Sequence, residues 1–78
     1  MDELKYPRRF SYSDSIDSQV KRMTFLFNED LLKGMKYMFE KMFAFYIDES
    51  LLYIEGLDYE RDGNIDVFYR KVQRLPDK

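Results

Sequence analysis

Every second residue from Met23 to Phe27 is apolar in the segment 20–27, which reads VKRMTFLF. Successive side chains of a strand point to opposite faces of a sheet, so strict alternation is typical of a half-buried strand. The pattern therefore predicts a strand with one apolar face, formed by Met23, Phe25 and Phe27, and one outward face, formed by Arg22, Thr24 and Leu26.

The next residues carry apolar side chains every three or four positions, which is the spacing of an amphipathic helix. Asn28 is expected to be the N-cap, and Glu29 and Asp30 suit the first turn, where the helix dipole favours anions. We expect a helix over about residues 29–45. Its core-facing stripe consists of Leu31, Leu32, Met35, Met38, Phe39 and Met42.

Residues 48–75 admit two interpretations. In the first, Leu51–Tyr59 and Ile65–Val72 are strands joined by a turn at residues 61–64, where Asp62-Gly63 is a turn signal. In the second, Asp48 and Asn64 each cap a helix. The β-branched and aromatic content favours the hairpin.

The fold class predicted from these elements is α+β, with one long amphipathic helix packed on a small antiparallel sheet in a single domain, residues 1–78. The sheet would contain Val20–Phe27 and the two hairpin strands. Residues 1–19 are polar, with a Ser/Asp-rich patch, and form either a mobile arm or an edge strand at Arg8–Tyr12.

Composition narrows the chemistry that this chain can perform. The 78 residues include no His, no Cys and no Trp. This excludes a disulfide framework, a Cys/His zinc site, a cysteine nucleophile and a histidine base. Gly-rich phosphate loops are also absent, and so short a chain rarely encloses a cleft between two catalytic carboxylates. We therefore expect a non-catalytic protein with no cofactor, no bound metal and no small-molecule substrate.

The setting of the protein follows from charge and hydropathy. With 13 Lys+Arg and 15 Asp+Glu, the net charge is −2. The amino terminus lacks the apolar region of a signal peptide, and no apolar stretch is long enough for a membrane span. Together with the absence of cysteine, this predicts a cytoplasmic protein without a membrane partner. A small domain buries little surface, so a homodimer is also expected.

Residues 21–42, KRMTFLFNEDLLKGMKYMFEKM, resemble the opening of ribbon-helix-helix DNA-binding proteins, the family of the Arc and MetJ repressors. The resemblance implies that Arg22 and Thr24 read bases from a strand paired across a dimer, while the backbone at Asn28 and Glu29 holds a phosphate. It also implies an alternative fold, a swapped dimer in which residues 49–60 form a second helix before an extra C-terminal helix.

Cations and aromatic rings are interleaved in several parts of the chain. If they share one sheet face, they could stack bases and hold phosphates, or form a protein-binding hot spot. The first hypothesis is a small transcription regulator that binds DNA through a basic strand and arm. The alternative is an inhibitor or adaptor that occludes a partner protein. The residues expected to bind DNA are Arg8, Arg9, Lys21, Arg22, Thr24 and Asn28.

Residues 58–66, DYERDGNID, resemble an EF-hand calcium loop in the spacing of their carboxylates and the position of Gly63. Tyr69 stands where that loop has its bidentate glutamate. A polar hairpin turn accounts for the same residues, and we expect no metal here.

Overall fold

The computed structural model describes the backbone of residues 5–8 and 14–74 and the side chains of residues 14–73. In these residues the chain forms strands, a single helix and then strands again, as the pattern predicted. The elements are β1 (Lys5–Arg8), β2 (Asp14–Ile16), β3 (Lys21–Leu26), α1 (Glu29–Lys41), β4 (Ala44–Ile47), β5 (Ser50–Tyr59) and β6 (Asn64–Arg74).

The strands form one antiparallel sheet in the order β1-β4-β5-β6, and the outer edge of β6 pairs with both β2 and β3. The helix α1 packs against β5 on one face of this sheet. The predicted α+β class, with one helix on an antiparallel sheet, is confirmed. The sheet is larger than expected because β2 and β4 also join it, and β1 pairs with β4 at its edge.

The hairpin interpretation of residues 48–75 is confirmed, and the two-helix interpretation is wrong. Strands β5 and β6 pair from Leu52–Lys71 to Tyr59–Ile65, with one register shift between Ile54 and Gly56. A second helix over residues 49–60, which the ribbon-helix-helix alternative requires, is replaced by β5. The β-branched and aromatic side chains of this segment pack on both faces of a sheet, which a helix could not provide.

The helix ends at Lys41, four residues before the predicted end at 45. Met42 adopts the left-handed conformation, with φ 59°. Its N–H donates to the Phe39 carbonyl, and the Phe43 N–H donates to the Met38 carbonyl. This pair of bonds is a Schellman cap, which normally contains glycine at the left-handed position. Because methionine occupies this position here, no residue in the sequence predicted that the helix ends at Lys41.

The residues after the cap form β4, which turns directly into β5. The turn contains Asp48 and Glu49, between Ile47 and its partner Ser50. Asp48 has φ 55°, a conformation that aspartate tolerates better than most residues. The early end of the helix therefore releases residues 44–47 to extend the sheet.

The amino-terminal part of the chain contributes two further strands to the sheet edges. The first described strand is Lys5–Arg8, which contains Arg8 of the predicted edge strand Arg8–Tyr12, and residues 9–12 of that prediction lie outside the described residues. β2 and β3 follow the same edge of β6, but residues 17–20 stand against only residues 70–71, which makes a bulge. The Asp17 N–H still donates to the Lys71 carbonyl at 2.8 Å.

The main core lies between α1 and the sheet. Leu32, Met35 and Met38 of the helix are buried, as predicted. Phe39 and Met42, which were assigned to the same stripe, are 41% and 61% exposed, so that part of the prediction is wrong. Phe39 lies in the last turn of α1, and Met42 lies just past the end of the helix. The sheet residues of this core are Phe45, Ile47, Leu52, Ile54, Ile65 and Val67.

Candidate functional site

The face of the sheet opposite α1, here called the open face, divides into two ends. At one end a small second cluster is buried, with Ala44, Leu51 and Val72 at its centre and Tyr46 and Tyr53 against it. The other end is exposed. We call the exposed group the recognition patch, and its members are Arg22, Thr24, Leu26, Gly56, Asp58, Asp66 and Phe68.

One row of the recognition patch crosses three strands. Phe68 of β6 lies opposite Arg22 of β3 on one side and opposite Gly56 of β5 on the other. Because Gly56 has no side chain, that flank of the ring is left open, and a Cβ there would lie 3.9 Å from Phe68 Cδ2. Phe68 is 36% exposed, which is high for an aromatic side chain in a central strand.

The next row is polar and acidic. The Thr24 hydroxyl donates to the Asp66 carboxylate, with 2.7 Å between Oγ1 and Oδ1. Asp58 lies directly across from Asp66 on β5. Like charges directly opposite one another destabilise a sheet, so this row retains two carboxylates at some expense in stability. Leu26, at the edge of the patch, is 83% exposed.

The charges of the open face are partly neutralised within it. Arg70 forms an ion pair with Glu55, with 2.9 Å between Nε and Oε2. Glu55 lies at the register shift of β5, which places its side chain beside Arg70. Arg22, in contrast, is exposed and makes no ion pair with residues 14–73. Its guanidinium is therefore available to a ligand.

The six residues expected to bind DNA do not come together on one described surface. Arg22 and Thr24 share the open face, as predicted, but the hydroxyl of Thr24 is already bonded to Asp66. Lys21 points to the face that carries α1, since its position in β3 has the opposite parity. Asn28 is the N-cap predicted for the helix, and its side chain accepts the Leu31 N–H at 3.0 Å.

The structure describes the two arginines of the predicted arm, Arg8 and Arg9, only in part. Arg8 lies in β1, where its backbone pairs with Ala44, and its side chain is outside the description. Arg9 lies outside the described residues. The rings and cations of residues 68–71 lie on both faces of the sheet, because successive side chains of a strand point in opposite directions. Phe68 and Arg70 belong to the open face, and Tyr69 and Lys71 to the helix side.

The segment that resembles a calcium loop consists of two strand ends and a tight turn. The Gly63 N–H donates to the Glu60 carbonyl at 2.9 Å, and the Glu60 N–H to the Asn64 carbonyl at 3.0 Å. Among residues 14–73, His, Cys, Asp and Glu side chains form no group of three or more that could hold a metal ion. The carboxylates Asp58 and Asp66 serve instead as part of the recognition patch.

A groove of about 610 Å³ lies at the far end of the sheet and is lined by residues 15–17, 49–51 and 71–73. Leu51 and Val72 form its apolar floor, and Asp17, Glu49 and Lys71 lie on its rim. The rim carries charges of both signs without a convergent set of donors or acceptors, so the groove has no clear chemical preference.

Sequence reasoning missed Gly56 and Asp58 as members of the patch. The predicted turn at residues 61–64 would place Asp58 opposite Val67, whereas the observed register is shifted by one residue and pairs Asp58 with Asp66. The position of Gly56 depends on the bulge in β5, and no residue type in this segment predicts that bulge.

Comparison of the chain with protein-family models, with curated proteins and with solved structures finds no match. In the part of the chain that the structure describes, no helix is long and apolar enough to cross a membrane. The function must therefore be inferred from the residues of the site.

Proposed function

We propose that this chain is a small non-catalytic binding module that recognises another protein through the recognition patch. The row of Arg22, Phe68 and Gly56 carries this proposal, because it presents an accessible ring beside a guanidinium that forms no ion pair with residues 14–73. Arginine and aromatic side chains are over-represented in the energetic centres of protein interfaces. Leu26 adds apolar surface at the same end.

The charge of the patch favours a protein over a nucleic acid. Asp58 and Asp66 lie one row from Arg22 and would repel phosphates. A protein segment with an apolar or aromatic side chain over Phe68 and a cation near the two aspartates would be complementary to the patch. By covering its partner, such a module would act as an inhibitor or adaptor. We also propose a homodimer, which binding of the partner does not require.

The test is site-specific capture of partners from extracts of the source cells. Proteins bound by the wild-type chain should be lost at least severalfold with Phe68→Ala or Arg22→Ala. They should be retained with Phe39→Ala, a matched control that removes an equally exposed ring from the helix. Nuclease treatment should leave capture unchanged. Equal capture by all four proteins would contradict the proposal.

DNA binding is the second candidate, because Arg22 and Phe68 are also suited to a phosphate and a base. The sheet, with strands about 4.8 Å apart, is too wide to enter a major groove about 12 Å across, so contact would have to use the open face. Binding to random-sequence DNA should weaken steeply with salt. It should also be lost when Arg8, Arg9 and Arg22 are all changed to alanine. The absence of a mobility shift with the wild-type chain would reject this candidate, and a shift that persists unchanged in that variant would reject binding through these arginines.

A further inference from the structure

The outer edge of β3 has hydrogen-bonding groups that no described strand uses. The Phe27 N–H donates to the Gly63 carbonyl at 2.9 Å, directly beyond the β3–β6 register. In an antiparallel pair, alternate residues bond to the neighbouring strand and the residues between them bond to the opposite side. The peptide groups of Arg22, Thr24 and Leu26 therefore point away from the sheet.

The opposite edge of the sheet is better protected. β1 has four residues, contains Pro7 and has an irregular register with β4. A proline and a short, irregular strand both discourage further pairing at an edge. β3 has six residues in regular register and contains no proline. The β3 edge is therefore the side of the sheet that invites another strand.

We propose that a second copy of this chain occupies the β3 edge, with the two β3 strands antiparallel about a twofold axis at Thr24. Arg22 then lies opposite Leu26 of the second copy, and the outward peptide groups of both strands form about six hydrogen bonds. On the helix side, Met23 lies opposite Phe25 of the second copy, a favourable sulfur–aromatic pair.

The charges along the strand support this occupant. Lys21 and Arg22 begin β3, and Glu29 and Asp30 follow its other end. Antiparallel pairing brings the basic end of each copy toward the acidic end of the other. The helix does not obstruct the edge, because α1 packs over β5. A strand of this composition is thus complementary to itself.

The registers centred on Arg22 or toward Leu26 are less favourable. Moving the axis to Arg22 would place the two Arg22 side chains opposite each other, and like charges in that position are repulsive. Moving it toward Leu26 would leave more of the outward peptide groups unpaired. The axis at Thr24 pairs all residues from 21 to 27 without opposing like charges.

The dimer would join two open faces into one continuous surface. Leu26 of the second copy would lie beside Arg22, and each recognition patch would be completed by the other copy. The pairing of the strands does not rest on the proposed function; only the completion of the patch does.

Cysteine cross-linking tests the register, since the chain contains no cysteine. Residues in a hydrogen-bonded antiparallel pair have Cα atoms about 5.5 Å apart, within disulfide range. Thr24→Cys should form a disulfide dimer on mild oxidation, whereas Arg22→Cys and Leu26→Cys should do so only when mixed. Lys33→Cys, on the exposed side of the helix, is the control for random collision.

Charge exchange provides a second test by sedimentation over a range of protein concentrations. Leu26→Lys places a cation opposite Arg22 in both symmetric pairs and should weaken the dimer about tenfold. Adding Arg22→Glu to that variant should restore dimerisation. A wild-type chain that stays monomeric at high concentration overturns the proposal. A Thr24→Cys variant that forms no disulfide dimer overturns it too, as does a disulfide dimer formed by Arg22→Cys or by Leu26→Cys on its own.

The two proposals fail in different ways. Loss of partner capture in Phe68→Ala with an unchanged solution mass supports the patch without bearing on the edge. A monomer that still captures its partner through Arg22 and Phe68 would reject the dimer and leave the binding function intact.

Discussion

The two faces of the sheet are formed by the same strands and end in different surfaces. On the helix side, alternate positions of β5 and β6 carry Leu52, Ile54, Ile65 and Val67, all nearly inaccessible to solvent. On the open face, the intervening positions include an ion pair, two opposed aspartates and a half-covered ring. One residue of shift along a strand thus separates a core position from a position on the open face.

The difference shows where the stability of this small protein lies. The apolar area that offsets the entropy of folding is concentrated under α1. The open face contributes a buried cluster at one end only. Its other end retains groups that lower stability, such as Asp58 opposite Asp66.

The largest difference in stability between the two faces is expected when an aromatic ring is truncated on each of them. Phe45→Ala, at a site with 0% exposure, should lower the free energy of unfolding by about 3–5 kcal/mol. Phe68→Ala should lower it by about 1 kcal/mol. Urea denaturation measures both. Ile65→Val, expected to destabilise by about 1 kcal/mol, keeps the test valid if the Phe45 variant does not fold. Equal losses at Phe45 and Phe68 would show that the open face is part of the core.

The stability of α1 depends on its N-cap residue, Asn28. Asn28→Ala removes the side chain that accepts the Leu31 N–H and should destabilise the protein by about 1 kcal/mol. Asn28→Asp preserves the acceptor and should have little effect. Thermal unfolding monitored by circular dichroism distinguishes the two variants. A neutral result for Asn28→Ala would mean that water replaces the cap without loss.

The end of the helix contains strain that can be relieved. Met42 is left-handed and largely exposed, so Met42→Gly should stabilise the fold by about 1 kcal/mol without loss of packing. Met42→Ala keeps the unfavourable backbone conformation and should give no gain. The midpoint of denaturation is the measurement, and a gain with alanine as large as with glycine would contradict this explanation.

The smallest effect is expected on the open face. Asp58→Asn removes one of two opposed carboxylates and should stabilise the protein by about 0.3 kcal/mol, with less gain at high salt. Asp62→Asn, in the exposed turn, has no such opposing charge across the strands and serves as the control. If both variants respond alike, the effect belongs to net charge instead of to the cross-strand pair.

Much of the candidate site was accessible to sequence reasoning. The alternation of β3 assigned Arg22, Thr24 and Leu26 to the outward face, and the burial of that strand alternates in the same way. The cap at Asn28 was also predicted, and its side chain is used inside the fold. Which outward groups remain free could not be predicted, because the bond of Thr24 to Asp66 joins residues 42 positions apart.

By itself, the sequence determined the local elements: where side chains alternate, where helix spacing begins, and where the turn between β5 and β6 lies. These follow from interactions between residues a few positions apart. Only the tertiary structure decided that Met42 ends the helix, that residues 44–47 join the sheet, and that Phe68 stands between Arg22 and Gly56. Those features depend on pairing between distant strands, whose register and free edges are set by the packing of the whole chain.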